Sequence, residues 1–146
     1  MSSSQLRNSS IVGVGNREEG LRWLDQAEAD LRTASHCRAA GDFYAAAFFA
    51  QQAAEKALKG LLYLHGYRAI LIYSVVDLLR EASALAPALA GLEPLGRELD
   101  RHSIGARYPN VYPAGAPYRY YSDQEAERCV SYAASILEAV RSSFAG

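Results

Sequence analysis

The chain has 146 residues and a formal net charge of −1, with 50% hydrophobic and 21% charged residues. This balance fits one globular domain with its own core and excludes a disordered or membrane-embedded chain. Near-neutral charge removes any global pull toward nucleic acid or a membrane surface, so a basic site has to be local.

The first residues, M-S-S-S-Q-L-R-N-S-S-I-V-G-V-G-N, contain no apolar core of signal-peptide length, and Ser2 excludes myristoylation. Residues 1–17 read as a flexible tail and residues 18–146 as one domain. No stretch approaches the ~18 consecutive apolar residues of a membrane span. Cys37 and Cys129 each fall in a stretch that reads as helix, which argues against a disulfide framework and for a reducing compartment. A soluble cytoplasmic protein without membrane association is expected.

Beyond residue 18, apolar residues recur at three- and four-residue steps and strand signals are scarce, so the chain reads as all-α. The first helix, about Glu18 to Ala40, aligns Leu24, Ala27, Leu31 and Ala34 on one face. Gly41 suits a left-handed helix end and Asp42 an N-cap for the next helix.

The second helix is expected from Phe43 to His65, ending at Gly66. At 100° per residue, Ala46, Ala50, Ala53, Ala57, Gly60 and Leu64 form one apolar stripe whose small members admit a neighbouring helix at close range. Gln51, Gln52, Glu55, Lys56 and Lys59 share an arc of about 140° on the other side. That arc reads either as a solvated or intramolecular face, with Glu55 and Lys59 as an i,i+4 ion pair, or as a surface for a second copy, a partner or a ligand. Phe48, Phe49, Leu62 and Tyr63 flank it at its two ends.

Ser74-Val75-Val76-Asp77 has the form of a capping box in which the Ser74 hydroxyl and the Asp77 carboxylate hold helix-start amides. A third helix follows to about Ala86. From Pro87, which permits a helix start, Leu89, Leu92, Leu95 and Leu99 carry the apolar period on to about Arg101. Ser122-Asp123-Gln124-Glu125 is a second capping box. It opens a last helix to about Ser143 with Ala126, Val130, Ala133, Leu137, Val140 and Phe144 inward. Four long helices and a short one with brief joints predict an antiparallel, up-and-down bundle.

Between Ile104 and Tyr121, three prolines and two glycines prevent a helix, and five of the ten tyrosines gather there. This loop is expected to be ordered and packed on the bundle. With Arg101, His102, Arg107 and Arg119 in or beside it, the region is basic and aromatic.

The order of features resembles a HEPN domain. Trp23, Ala27, Asp30 and Leu31 lead the first helix, A-x-F-x-A-Q-Q-A-A-E-K-A-L-K-G runs from Ala46 to Gly60, and a Ser-capped helix follows. Then come A-R-Y-P-N from Ala106 and S-x-x-E-A from Ser122. The likeness covers about residues 20 to 143. It implies a helical bundle, a homodimer, a small nucleotidyltransferase as genomic neighbour and partner, and nucleotide binding. Many members carry His-Ser where this chain has Tyr73-Ser74. The ribonuclease branch carries arginine, four to six residues, then histidine; here only Arg97 and His102 in R-E-L-D-R-H fit.

The candidate ligand residues are Arg107, able to grip phosphate with two parallel bonds, Tyr108 and Tyr112, able to stack on a base, and Lys56 and Lys59. Arg107 could instead pin the loop to helix-end carbonyls or pair with Glu55. The candidate partner or dimer face comprises Phe48, Gln51, Gln52, Glu55 and Tyr63. On an unbroken helix Arg97 and His102 point about 140° apart, poor geometry for one phosphate, and a histidine near a helix C-terminus is suited to the carbonyls there. The favoured reading is therefore a non-catalytic nucleotide-binding or partner-binding domain. Its rivals are a metal-independent ribonuclease using Arg97 and His102 across a dimer, and a scaffold with no small ligand. The three histidines show no ligand spacing and no phosphate-loop or nucleophile motif occurs, so no metal or cofactor is expected.

Overall fold

The computed structural model describes residues 15–145; residues 1–14, most of the expected tail, and Gly146 lie outside the described residues. The chain forms α1 (Asn16–Ala39), α2 (Phe43–Leu64), α3 (Val75–Ser83), α4 (Glu93–Asp100), α5 (His102–Gly105) and α6 (Asp123–Ala145), with 3₁₀ turns at Pro87–Leu89, Pro109–Val111 and Pro117–Tyr120. No strand occurs among the described residues. The architecture is the all-α bundle that the periodicity predicts. Helix α1 starts two residues earlier than expected.

Helix α2 runs through the centre, packed against α1 along its length and against α6 and α3. Ala46, Ala50, Ala53 and Ala57 have no exposed surface, and neither do Ala47, Ala54, Leu58, Leu61 and Leu62, so apolar burial extends well beyond the single stripe. The small residues do what their spacing predicts. A Cβ on Gly60 would lie 2.9 Å from the Gly20 carbonyl oxygen, and one on Gly20 would lie 2.7 Å from the Gly60 oxygen and 3.1 Å from the Phe144 ring. The helices α1 and α2 therefore cross backbone on backbone at this pair.

Both ends of this hairpin close by the same device. At Gly41 (φ 84°) the amides of Gly41 and Asp42 bond to the carbonyls of Arg38 and Cys37; at Gly66 (φ 95°) those of Gly66 and Tyr67 bond to Tyr63 and Leu62. These are left-handed helix ends with paired terminal carbonyls, conformations that glycine adopts without steric cost. Asp42 does occupy the N-cap position, but its side chain makes no capping bond. Its backbone carbonyl accepts from Ala46 N at 3.0 Å instead.

The start of α3 departs from the expected box. Ser74 Oγ does accept from Asp77 N at 3.3 Å, but the Asp77 carboxylate turns to Arg80 at 3.4 Å. Its expected role falls to Asp100 at the end of α4. The Asp100 carboxylate accepts from Val75 N at 2.7 Å, Val76 N at 3.1 Å and Ser74 Oγ at 2.8 Å. A carboxylate at a helix N-terminus meets unpaired amides and the positive end of the helix dipole, and this one also staples α4 to α3. The helix expected to run from Pro87 to Arg101 is divided. A 3₁₀ turn ends at Leu89, Gly91 takes φ 85°, and α4 begins only at Glu93 with Pro94 in its first turn.

The serine half of the α6 capping box forms, with Glu125 N bonded to Ser122 Oγ at 3.2 Å. Ala126, Ala133, Leu137, Val140 and Phe144 are buried and Val130 is half-buried. The 104–121 segment is ordered and packs on the bundle through Ala106 and Pro117, both buried, and through Tyr118 edge-on to Tyr44 of α2.

Replacing Gly20 with alanine should lower stability by up to about 2 kcal/mol, because overpacking at a backbone contact costs ~1–3 kcal/mol against a ~1 kcal/mol gain in helix propensity; urea denaturation measures the difference. Asp100→Ala should cost about 2 kcal/mol by removing three bonds to a charged acceptor at a helix start, with Asp77→Ala close to neutral in the same assay.

Candidate functional site

The polar arc of α2 is coherent in space but largely enclosed by the protein itself. Gln51 has no exposed surface and Lys59 only 6%. Gln52 Nε2 donates to Gln51 Oε1 at 2.7 Å, Gln51 Nε2 to Glu55 Oε1 at 3.3 Å, and Lys59 Nζ to Glu55 Oε2 at 3.4 Å. Lys56 Nζ reaches across to Asp30 of α1 at 2.5 Å, where Gln26 Nε2 also donates at 3.1 Å. These bonds join the arc into an intramolecular network that includes the expected Glu55–Lys59 pair.

Both lysines named as ligand candidates are thereby committed. Lys56 holds the buried Asp30, and Lys59 lies against the rings of Tyr73 at 4.6 Å and Trp23 at 6.0 Å. Of the candidate partner face, Gln51 offers no surface. Phe48, Gln52, Glu55 and Tyr63 are half-buried, with Tyr63 packed on Trp23 at 5.1 Å.

The 104–121 segment presents the accessible part of the predicted site. Arg107 Nε donates to the Ser103 carbonyl at 2.8 Å, one turn back in α5. Its guanidinium lies over Phe48 at 4.6 Å and Tyr108 at 5.0 Å. Neither terminal nitrogen of Arg107 has a hydrogen-bond partner among the described residues, and the side chain belongs to an exposed residue. The expected pinning to a helix-end carbonyl is present, whereas Glu55 turns to Lys59 rather than to Arg107. Tyr108 is 47% exposed and Tyr118, over which Arg119 lies at 5.1 Å, is 52% exposed. Tyr112 serves the loop itself, stacked on Tyr120 at 4.1 Å with its hydroxyl donating to the Gly105 carbonyl at 2.6 Å.

Arg97 and His102 have separate surroundings. The Arg97 side chain is exposed and approaches Glu93 at 3.9 Å. His102 is buried, its Nδ1 2.7 Å from the Tyr121 hydroxyl and its Nε2 3.6 Å from Glu98 Oε1. Burial holds its imidazole below the ordinary histidine range, against the opposing pull of Glu125 and Glu98. Burial alone would raise the Glu98 carboxyl, but Arg101 and Arg128, with His102, together hold it below the usual carboxylate range.

The sequence reading missed this cluster. Glu98, His102 and Glu125 each offer a donor atom, all within 4.8 Å of one another. The available signal was the i,i+4 spacing of Glu98 and His102; Glu125 arrives from a different helix.

Set against known proteins, the chain matches the HEPN domain over residues 21–143, and it belongs to that family. It is similar to TT1696 from Thermus thermophilus, whose crystal structure superposes with a TM-score of 0.81 at 38% identity, covering 86% of this chain and 98% of that one. ST0689, an archaeal HEPN homologue, superposes with a TM-score of 0.72 at 35% identity over 86% of this chain and 98% of its own. Among curated sequences, "Putative toxin MJ1304" of Methanocaldococcus jannaschii is 26% identical over 127 residues, 82% of this chain and 84% of the relative.

Cys129 sits beside the cluster, fully buried, and burial together with Glu98 and Glu125 pushes its thiol up to about 12. Since the thiolate is the nucleophile, Cys129 should not react with Ellman's reagent in the native protein at mildly alkaline pH and should react once the chain is unfolded in guanidinium.

Proposed function

We propose that this HEPN domain binds the phosphate of a nucleotide or of an RNA strand through Arg107, with Tyr108 stacking on a base, and that it does so without cleaving its ligand. The observation that carries the reading is the state of the Arg107 side chain. Its Nε bond to Ser103 and its seat on Phe48 orient the guanidinium, while both terminal nitrogens stay free at the surface. An oriented guanidinium matches two phosphate oxygens with parallel bonds. Exposed Tyr108 beside it supplies the flat apolar face that a base requires.

Lys56 and Lys59 play no part in this reading, because each is held by a carboxylate within the bundle. The same observations speak against a ribonuclease built on Arg97 and His102. A general acid or base has to come within hydrogen-bond reach of the reacting group, and His102 is covered by Tyr121 while Arg97 lies out with Glu93. The name of the Methanocaldococcus relative favours membership of a two-component pair. In that setting this chain acts as a homodimer with a small nucleotidyltransferase as its partner, and Gln52, Glu55, Phe48 and Tyr63 contribute the accessible part of the contact face.

Titration of ATP and of a short single-stranded RNA against the wild type and Arg107→Ala at low salt tests the assignment. A hydrogen bond to a charged group contributes ~1.5–3 kcal/mol, so affinity should fall roughly tenfold or more. Arg107→Lys should recover little of it, because a point charge lacks the fork. Equal affinity in the alanine variant would remove Arg107 from the site, and RNA cleavage by the wild type that is lost in His102→Ala would overturn the non-catalytic reading.

A further inference from the structure

The buried cluster around His102 belongs to no part of the nucleotide reading, and its hydrogen bonds have a defined direction. The Tyr112 hydroxyl lies 2.6 Å from the Gly105 carbonyl oxygen. A carbonyl only accepts, so the Tyr112 proton is committed there. The Tyr121 hydroxyl lies 2.7 Å from His102 Nδ1. With Nδ1–H donating to Tyr121, the other ring nitrogen, Nε2, presents a bare lone pair.

That lone pair is badly placed unless a cation joins it. Nε2 is buried with no hydrogen-bond partner, on a side chain only 4% exposed, and the Glu98 carboxylate oxygen stands 3.6 Å away. This is beyond hydrogen-bond distance, and Glu125 brings a second carboxylate to within 4.8 Å of the other two donors. Three electron-pair donors thus converge, with the Arg101 and Arg128 guanidinium groups on the Glu98 carboxylate.

We propose that Glu98, His102 and Glu125 form a binding site for a divalent transition-metal ion, with Zn²⁺ the ion best matched to one imidazole nitrogen and two carboxylates. Zinc takes His nitrogen and Glu oxygen at about 2.0–2.2 Å, so both glutamates have to close on the ion by side-chain rotation. A metal-bound histidine characteristically donates its other ring N–H to a fixed acceptor, and here the Tyr121 hydroxyl, 2.7 Å from Nδ1, provides it. A pocket of about 270 Å³ lined by Arg101, His102, Tyr112, Tyr120, Tyr121 and Glu125 borders two of the three ligand residues.

Two arginines oppose the ion. Arg101 Nη1 lies 2.7 Å from Glu98 Oε2, and Arg128 Nη2 lies 3.2 Å from Glu98 Oε1 and 3.9 Å from Glu125 Oε2. Each carboxylate has about four lone-pair sites, so these contacts leave donors free, but Arg128 competes for the space between the two carboxylates. Removing that competitor should therefore strengthen binding, an effect that no purely structural role for the cluster predicts.

Isothermal titration of ZnCl₂ into chelator-stripped protein at neutral pH, with melting curves in parallel, tests the assignment. The expected result is one ion per chain with a rise in Tm, at least tenfold weaker binding in His102→Gln and in Glu125→Gln, and tighter binding in Arg128→Gln. Should His102→Gln fail to fold, Glu125→Gln, at a partly exposed position, carries the test. Absence of saturable binding to the wild type, or binding that the folded ligand variants retain in full, would overturn the proposal.

Discussion

The bundle depends on the place where Gly20 and Gly60 meet. With no side chain on either residue, each backbone comes within reach of the other's carbonyl, and α1 lies against α2 closely enough to cover its side as well as its apolar stripe. Dispersion gains at such a contact are individually small and collectively large, and they vanish over gaps of an ångström. A wider crossing would leave Asp30 and Lys56 apart and open the polar arc to water. The glycines therefore decide the environment of residues up to several turns away.

Closeness of this kind makes the burial of polar groups unfavourable, and the α1–α2 seam offsets that penalty by pairing them. Asp30 is bound by Lys56 and Gln26, and Glu55 by Lys59 and Gln51. A buried ion pair is weak evidence for stability, since desolvation offsets its attraction. Its stronger effect is on register: a slip of one residue would separate Lys56 from Asp30, the pair that crosses between the helices, and leave those charges uncompensated. The seam reads as a device that aligns two helices whose alanine faces alone would slide.

At the other end of the molecule, one short stretch joins three helices. Asp100 caps α3, while Glu98 and His102 lean toward Glu125 and Arg128 of α6. From this junction the 104–121 segment departs, and its tyrosines tie it back through the Tyr112 and Tyr121 hydroxyls. Arg107 is oriented because its carbonyl partner, Ser103, is on α5 and its ring partner, Phe48, is on α2. The accessible basic and aromatic surface thus inherits its geometry from a buried polar core.

What the amino-acid order determined by itself is whatever depends on neighbours three and four residues away. The helices, the glycine ends at Gly41 and Gly66, the Ser122 cap and the Glu55–Lys59 pair all follow from backbone propensity and helical spacing. The small-residue stripe even announced a close crossing. Only the tertiary structure decided which face of α2 would be covered, because that depended on Gly20 in another helix. It likewise decided that Asp100 rather than Asp77 would cap α3, that Tyr112 would serve the loop rather than a ligand, and that His102 would meet Glu125 instead of Arg97. Each of these pairings joins residues distant in the chain, and their energies are set by burial and mutual distance, quantities that exist only once the helices have packed.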